Sequence, residues 1–194
     1  MFLAVLLASL SLHIHPSEID SLLRELDMSI RNRPQYTLKR QEQIDALQRK
    51  LRLSHSDQER YDLYRELFGK YRSYRMDSAL WVANQRVELA KRMKNPLYIR
   101  SAELNIAEVM IGVAMYKEGL EILDGIKSAD LDASGVSYYY YQYHQVYTLM
   151  ADYAFSDQMK EHYRGLAYQY KDSIISMRLS LIHISEPTRL RRIS

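Results

Sequence analysis

The feature that most constrains this chain is a recurrence every forty positions. Ala79, Gly119 and Met159 stand forty apart, and so do Ala83, Leu123 and Tyr163. Leu67, Ala107 and Tyr147 keep the same interval, as do Tyr74, Ala114 and Ala154. A unit of that length accommodates one helical hairpin, which buries its apolar face only by stacking on its neighbours. The expected fold is therefore all-α, an α-solenoid of helical hairpins with a period of about 40 residues. Composition agrees, because 6 Gly and 4 Pro in 194 residues are too few for the many tight turns of a β-sandwich. Leu, Ala, Glu, Arg, Lys and Gln, all good helix formers, are plentiful. The absence of cysteine from the sequence excludes disulfides, thiolate metal sites and thiol nucleophiles.

Local patterns divide the chain into helices. Ser17 and Asp20 read as a capping box, after which Ile19, Leu22, Leu23, Leu26 and Ile30 recur at helical spacing. Asn32 to Pro34 is expected to end that helix, and Tyr36 to Leu53 to form another with Ile44, Leu47 and Leu51 on one side. Between Arg31 and Arg52 seven basic residues face two acidic ones. A solvated helix face accounts for them most simply, and contact with an anionic surface is the alternative. Ser56 with Glu59 makes a second capping box, and Tyr61, Tyr64, Phe68 and Tyr71 form one stripe behind it. Asp77 is expected to cap the next helix, which carries Ala79, Val82, Ala83, Arg86, Val87 and Ala90 in one phase, and Asn95-Pro96 closes the pair. Further helices are expected at 97–114, 117–126, 136–154 and 157–179, with a loop over 127–135.

Within this frame Leu104, Ala107, Tyr116, Gly119, Leu120 and Leu123 resemble the spaced small and large residues of a tetratricopeptide repeat, and Ala79 and Ala83 fit the same scheme. The resemblance covers roughly Ser56 to Leu179. The period is longer than the usual ~34 residues, and Met159 stands where a small residue is expected, so the repeats are degenerate. A narrower likeness lies in Arg60-Tyr61-Asp62-Leu63-Tyr64-Arg65-Glu66-Leu67-Phe68, in Tyr71-Arg72-Ser73-Tyr74 with Asp77-Ser78-Ala79, and in Tyr168-Gln169-Tyr170-Lys171-Asp172-Ser173. These strings resemble the exported sensor part of bacterial membrane-bound transcription regulators. The resemblance implies a signal peptide, tetratricopeptide-like repeats, and then a membrane helix, a coiled coil and a cytoplasmic DNA-binding domain that this chain does not contain.

Motifs for catalysis are lacking in the sequence. None of the six His residues forms the i, i+4 pair of a zinc-protease helix, and there is no glycine-rich phosphate loop and no G-x-S-x-G elbow. His13-Ile14-His15 is too slight a set to count as a metal site. No catalytic residue, metal or cofactor is expected. The compositional oddity is 17 Tyr, six of which crowd into Tyr138, Tyr139, Tyr140, Tyr141, Tyr143 and Tyr147. Four consecutive Tyr cover every face of a helix. Tyr139, Tyr143 and Tyr147 share one side and suit packing between repeats. Tyr138 and Tyr141, with Trp81, are candidates to line a ligand groove, where aromatic rings give rigid, amphipathic contact area.

Both ends invite a separate reading. Phe2 to Leu12 is an apolar run of secretory length, too short to span a bilayer, so residues 1–15 are expected to be a signal peptide and the protein periplasmic. Residues 16–55 then form an N-terminal helical segment, and 56–179 the repeats. The last fifteen residues, 180–194, break the helical pattern and resemble translated sequencing-adapter read-through, which implies a non-native or disordered tail on a truncated chain. The tail carries much of the formal net charge of +3, so the basic balance is no argument for nucleic-acid binding by this fragment. The expected function is a non-catalytic module that binds a protein or peptide on a concave face, and serves as the periplasmic sensor of a membrane-bound regulator. Membrane attachment would come only through a downstream segment. The alternatives are a free-standing periplasmic scaffold, or a cytoplasmic binder using the basic helix around Lys39 to Arg52.

Overall fold

The computed structural model describes residues 16–185, with side-chain environments over 19–177. The expected signal peptide over 1–15, with His13-Ile14-His15 inside it, and residues 186–194 of the tail lie outside the described residues. Among the described residues there are seven α-helices, one 3-10 turn at Ser128–Asp130 and no strand. The helices are α1 (Pro16–Leu53), α2 (Asp57–Tyr71), α3 (Met76–Arg92), α4 (Pro96–Gly112), α5 (Tyr116–Asp124), α6 (Ala133–Asp152) and α7 (Asp157–Ser185). The chain divides into two compact units, residues 1–45 and 46–194. None of the described helices is long and apolar enough to cross a membrane.

In the first unit α1 runs unbroken through Pro34, which corrects the break expected at Asn32 to Pro34. An interior proline removes the N–H that would bond the Ile30 carbonyl and crowds the preceding turn, normally at ~3 kcal/mol. Here that turn is fully exposed, so water can satisfy the freed carbonyl, and the Thr37 hydroxyl donates to the Arg33 carbonyl at 3.0 Å. The helix opens at Pro16, a residue suited to a first helical position, so Ser17 falls inside the first turn instead of ahead of it.

The second unit is a run of hairpins, α2 with α3, α4 with α5, and α6 with α7, in which each helix packs mainly on its chain neighbours. The first helices of the second and third hairpins, α4 and α6, also pack on one another. Ser56 caps α2 as expected, accepting the Glu59 N–H at 3.0 Å. The Glu59 carboxylate turns to the Ser54 hydroxyl, which donates to it at 2.7 Å. Tyr61, Phe68 and Tyr71 are buried and Tyr64 half-buried, so the predicted stripe is the packing face of α2. On α3 the phase Ala79, Val82, Ala83, Arg86, Val87 and Ala90 is buried throughout. Asp77 does not cap that helix: α3 opens after Arg75 without a side-chain cap, because the turn is already closed by the Tyr74 and Arg75 N–H groups on the Tyr71 carbonyl. Asp77 sits in the first turn, where its charge suits the positive end of the helix dipole.

The two following turns share one geometry. Lys94 and Ala114 adopt left-handed φ values of 51° and 64°, at the position after the C-cap where glycine is usual. Asn95 N–H bonds the Ala90 carbonyl at 3.1 Å and Met115 N–H the Met110 carbonyl at 2.8 Å, the long bond of a Schellman motif in each case. Replacing exposed Ala114 with Gly is expected to relieve its left-handed strain and stabilise by about 0.5–1 kcal/mol, net of the added chain entropy. A thermal melt followed by circular dichroism checks it, with an expected rise of about 1–4 °C.

Between the second and third hairpins the core consists of Leu104, Ala107 and Ile111 from α4, Leu123 from α5, Ile126, and Tyr143 and Val146 from α6. Gly119 permits this packing, since a Cβ there would stand 2.8 Å from Ile111 Cγ1. Asp132 opens α6 at Ala133, ahead of the expected start at 136, by accepting the Gly135 N–H at 2.7 Å. The third hairpin departs from the repeat, because Met159, in phase with buried Ala79 and Gly119, is 43% exposed. At the other end α7 continues through 180–185, past the break expected at Ser180; that stretch contains no Gly or Pro to stop a helix.

Candidate functional site

Stacking of the hairpins leaves a cavity of about 470 Å³ walled by α2, α3, α4, the segment before α6 and the start of α6. Tyr61 and Phe68 of α2, Tyr98 and Leu104 of α4, Leu131 and Tyr138 form its apolar wall. Tyr61 and Tyr98 stack at 4.5 Å between ring centroids, and the Tyr61 hydroxyl donates to the Tyr98 carbonyl at 2.8 Å. Burial raises the Tyr61 phenol above its ordinary range, so it is a neutral donor at neutral pH.

A chain of polar side chains runs through this wall and ties all three hairpins together. Arg72 at the end of α2 donates to Glu108 of α4 at 3.0 Å, and the Tyr138 hydroxyl of α6 donates to the same carboxylate. Asn105 of α4 donates to the Tyr138 oxygen at 3.3 Å, and its own carbonyl oxygen accepts from Arg86 of α3. The Arg86 guanidinium lies 4.3 Å from the centroid of the Tyr61 ring, a cation–π distance. Burial first, and the neighbouring Glu108 charge second, push the Tyr138 phenol far above its ordinary value. Burial likewise lowers the Arg86 guanidinium from its usual range, although an arginine remains charged.

The candidate aromatics separate into three places. Tyr138 lines the 470 Å³ cavity and belongs to the polar chain. Tyr141, 47% exposed, lines a smaller cavity of about 130 Å³ with Arg72, Glu108 and Gln142. The Arg72–Glu108 pair therefore lies between the two tyrosines. Trp81, 55% exposed, stands apart, edge-on to Tyr64 at 5.7 Å, and lines a third cavity of about 520 Å³ with Gln48, Leu51 and Tyr71. The other tyrosines of α6 are packing residues. Tyr143 lies between Tyr139 at 5.0 Å and Tyr170 of α7 at 4.5 Å, and its hydroxyl donates to Asp124 at 2.5 Å. Burial pushes the Tyr143 phenol far up, with the Asp124 hydrogen bond adding to it, and burial pushes Tyr170 up to about 12.

Arg86, Asn105 and Glu108 were not singled out by sequence motifs. Their signal is positional, since each is a polar side chain at or beside a phase otherwise filled by Ala, Val and Leu. The arrangement offers hydrogen-bond donors, one buried cation and aromatic walls, a set for binding. Among the described residues no group of three or more Asp, Glu or His could hold a metal ion.

No curated protein and no solved structure matches the chain significantly. Among family models, that of the SusR N-terminal TPR domain matches residues 30–180. That span takes in the last part of α1, all three hairpins and the cavity between them. With more than half of its length matched, and with helical hairpins stacked on a repeat of small residues, this chain belongs to the SusR N-terminal TPR domain family.

Proposed function

We propose that this chain is the ligand-binding input module of a bacterial membrane-bound transcription regulator, exported to the periplasm, and that it binds a protein or peptide without catalysing a reaction. The observation that carries this reading is the 470 Å³ cavity whose wall is shared by all three hairpins. Its volume falls in the usual range for a small ligand or a few peptide residues, roughly 300–1,000 Å³. A ligand seated there touches α2, α3, α4 and α6 at once, so occupancy changes how the hairpins pack. The family match and the apolar run Phe2 to Leu12 support the regulator and export parts of the reading. Tyr138 is the groove aromatic best placed for contact, with Tyr141 beside it and Trp81 serving a separate surface.

Two measurements test this. Alkaline phosphatase fused after Leu179 is expected to be active in bacterial cells; an inactive, intracellular fusion would rule out export. Selection of random displayed peptides on the full chain is expected to enrich binders whose affinity falls about tenfold in Tyr138→Ala, the equivalent of ~1.4 kcal/mol. Failure to enrich any peptide dependent on this wall would remove the binding role.

A further inference from the structure

Arg86 lies on the buried face of α3, 2% exposed, and lines the 470 Å³ cavity between the hairpins. The other cations on that wall have acids of their own: Arg65 pairs with Asp62 at 3.3 Å and Arg72 with Glu108 at 3.0 Å. Asp132 is committed to the start of α6, accepting from the Gly135 N–H at 2.7 Å and the Ser134 hydroxyl at 2.8 Å. Among the described residues no carboxylate pairs with Arg86. One terminal nitrogen donates to Asn105, the ring of Tyr61 lies against the guanidinium, and the buried Nε has no acceptor.

A buried guanidinium with an unmade hydrogen bond and no counter-charge is an expensive arrangement, and the cation–π contact offsets only part of the lost hydration. A role confined to packing would be filled better by Met or Leu, since an apolar side chain of similar volume avoids the desolvation cost. The feature makes sense when a ligand supplies the missing anion. We propose that the cavity receives a carboxylate, which pairs with Arg86 while Tyr61, Phe68, Leu104 and Tyr138 enclose the apolar body of the same ligand. A planar carboxylate matches the guanidinium edge in a two-point hydrogen bond. A phosphate dianion suits the site less well, because only one cation there is unpaired. The inference rests on the cavity being the ligand site and names the chemistry that site selects. The carboxylate has two sources, the terminus of a peptide or a free organic acid.

The test uses the full chain labelled with nitrogen-15, and the Arg86 Nε–H resonance identified by its loss in Arg86→Met. The probes are N-acetyl-Ala-Tyr with a free carboxylate, the same dipeptide amidated, and phenylacetate. At least one acid is expected to shift the Arg86 resonance, and the dipeptide acid, where it binds, to bind about tenfold or more tightly than its amide. A response to the dipeptide alone marks a peptide terminus as the source, and one to phenylacetate alone a free acid; either supports the proposal. No shift with either acid at about 10 mM, well above a millimolar dissociation constant, overturns it. So does equal binding of dipeptide acid and amide. Peptides selected on the chain that depend on Tyr138 but are indifferent to Arg86→Met would leave the binding module standing and remove the carboxylate. Should Arg86→Met fail to fold, the acid and amide comparison on the unaltered protein decides alone.

Discussion

Ala83→Phe is expected to melt well below the unaltered protein. Ala83 is fully buried on α3, a helix packed against both α2 and α4, so a benzyl group there has to force two neighbours apart. Overpacking of this kind costs about 1–3 kcal/mol, occasionally more. For a chain of this size that corresponds to a fall of roughly 2–12 °C in Tm. The contrast lies forty and eighty residues further along the chain, in the same register. Leu123 is completely buried in the same phase, whereas Tyr163 already carries a half-exposed ring. Leu123→Ala is thus expected to cost about 2–5 kcal/mol through a cavity, and Tyr163→Ala much less. Thermal melts of the three variants check the order; an Ala83→Phe melt indistinguishable from the parent would mean that the small residues of α3 do not mark the helix contact.

Alkaline pH is expected to unfold the protein over a defined window. The Tyr138 and Tyr143 phenols are raised far above the ordinary value of 10.0, mainly by burial, and Tyr170 is pushed up to about 12. In the unfolded chain these groups ionise near pH 10, so between that pH and their folded values the native state holds protons that the unfolded state has lost. Stability contributed by the neutral phenols is fully present below pH ~10 and declines as pH rises through the folded values. For enclosed Tyr138 alone the slope is about 1.4 kcal/mol per pH unit, and the more exposed Tyr170 adds less. Spectrophotometric phenolate titration beside circular dichroism should show a group of tyrosines ionising together with loss of helix. Gradual ionisation of all 17 tyrosines near pH 10 with the helices intact would contradict the enclosed environments assigned to them.

The repeat was legible because its spacing is a consequence of packing. Ala79, Ala83, Gly119 and Leu123 occupy positions where helices touch, and touching helices select residue size at fixed intervals. The buried phase of α3 could be read residue by residue for the same reason, Arg86 included. What the letters obscure is the local competition at helix ends. Pro34 looked like a terminus because a proline interior to a helix is costly, and an exposed turn reduces that cost by leaving the freed carbonyl to water. Asp77 looked like a cap because its side chain suits one, yet the backbone bonds to Tyr71 had already closed the turn. The site was harder still. Tyr138 stood out through the tyrosine run, but its partners Arg72, Asn105 and Glu108 come from α2 and α4, and only stacked hairpins bring them within hydrogen-bond distance. Arg86 was visible as a charge in an apolar phase, an inconsistency of a kind that often marks a functional position.

The packing of each helix mainly on its neighbours in the chain also has a kinetic meaning. Contacts of short sequence separation form without first closing long loops, so the entropy lost before the first favourable contact is small. A unit built this way is expected to fold on the microsecond to millisecond scale of helical bundles, with any one hairpin able to start the process. The same locality makes opening piecemeal. The third hairpin, where the repeat is least regular, can separate from α4 while the pair α2 and α3 stays closed, and such a separation breaks the hydrogen bonds of Tyr138 with Glu108 and Asn105 while leaving Arg72 paired with Glu108.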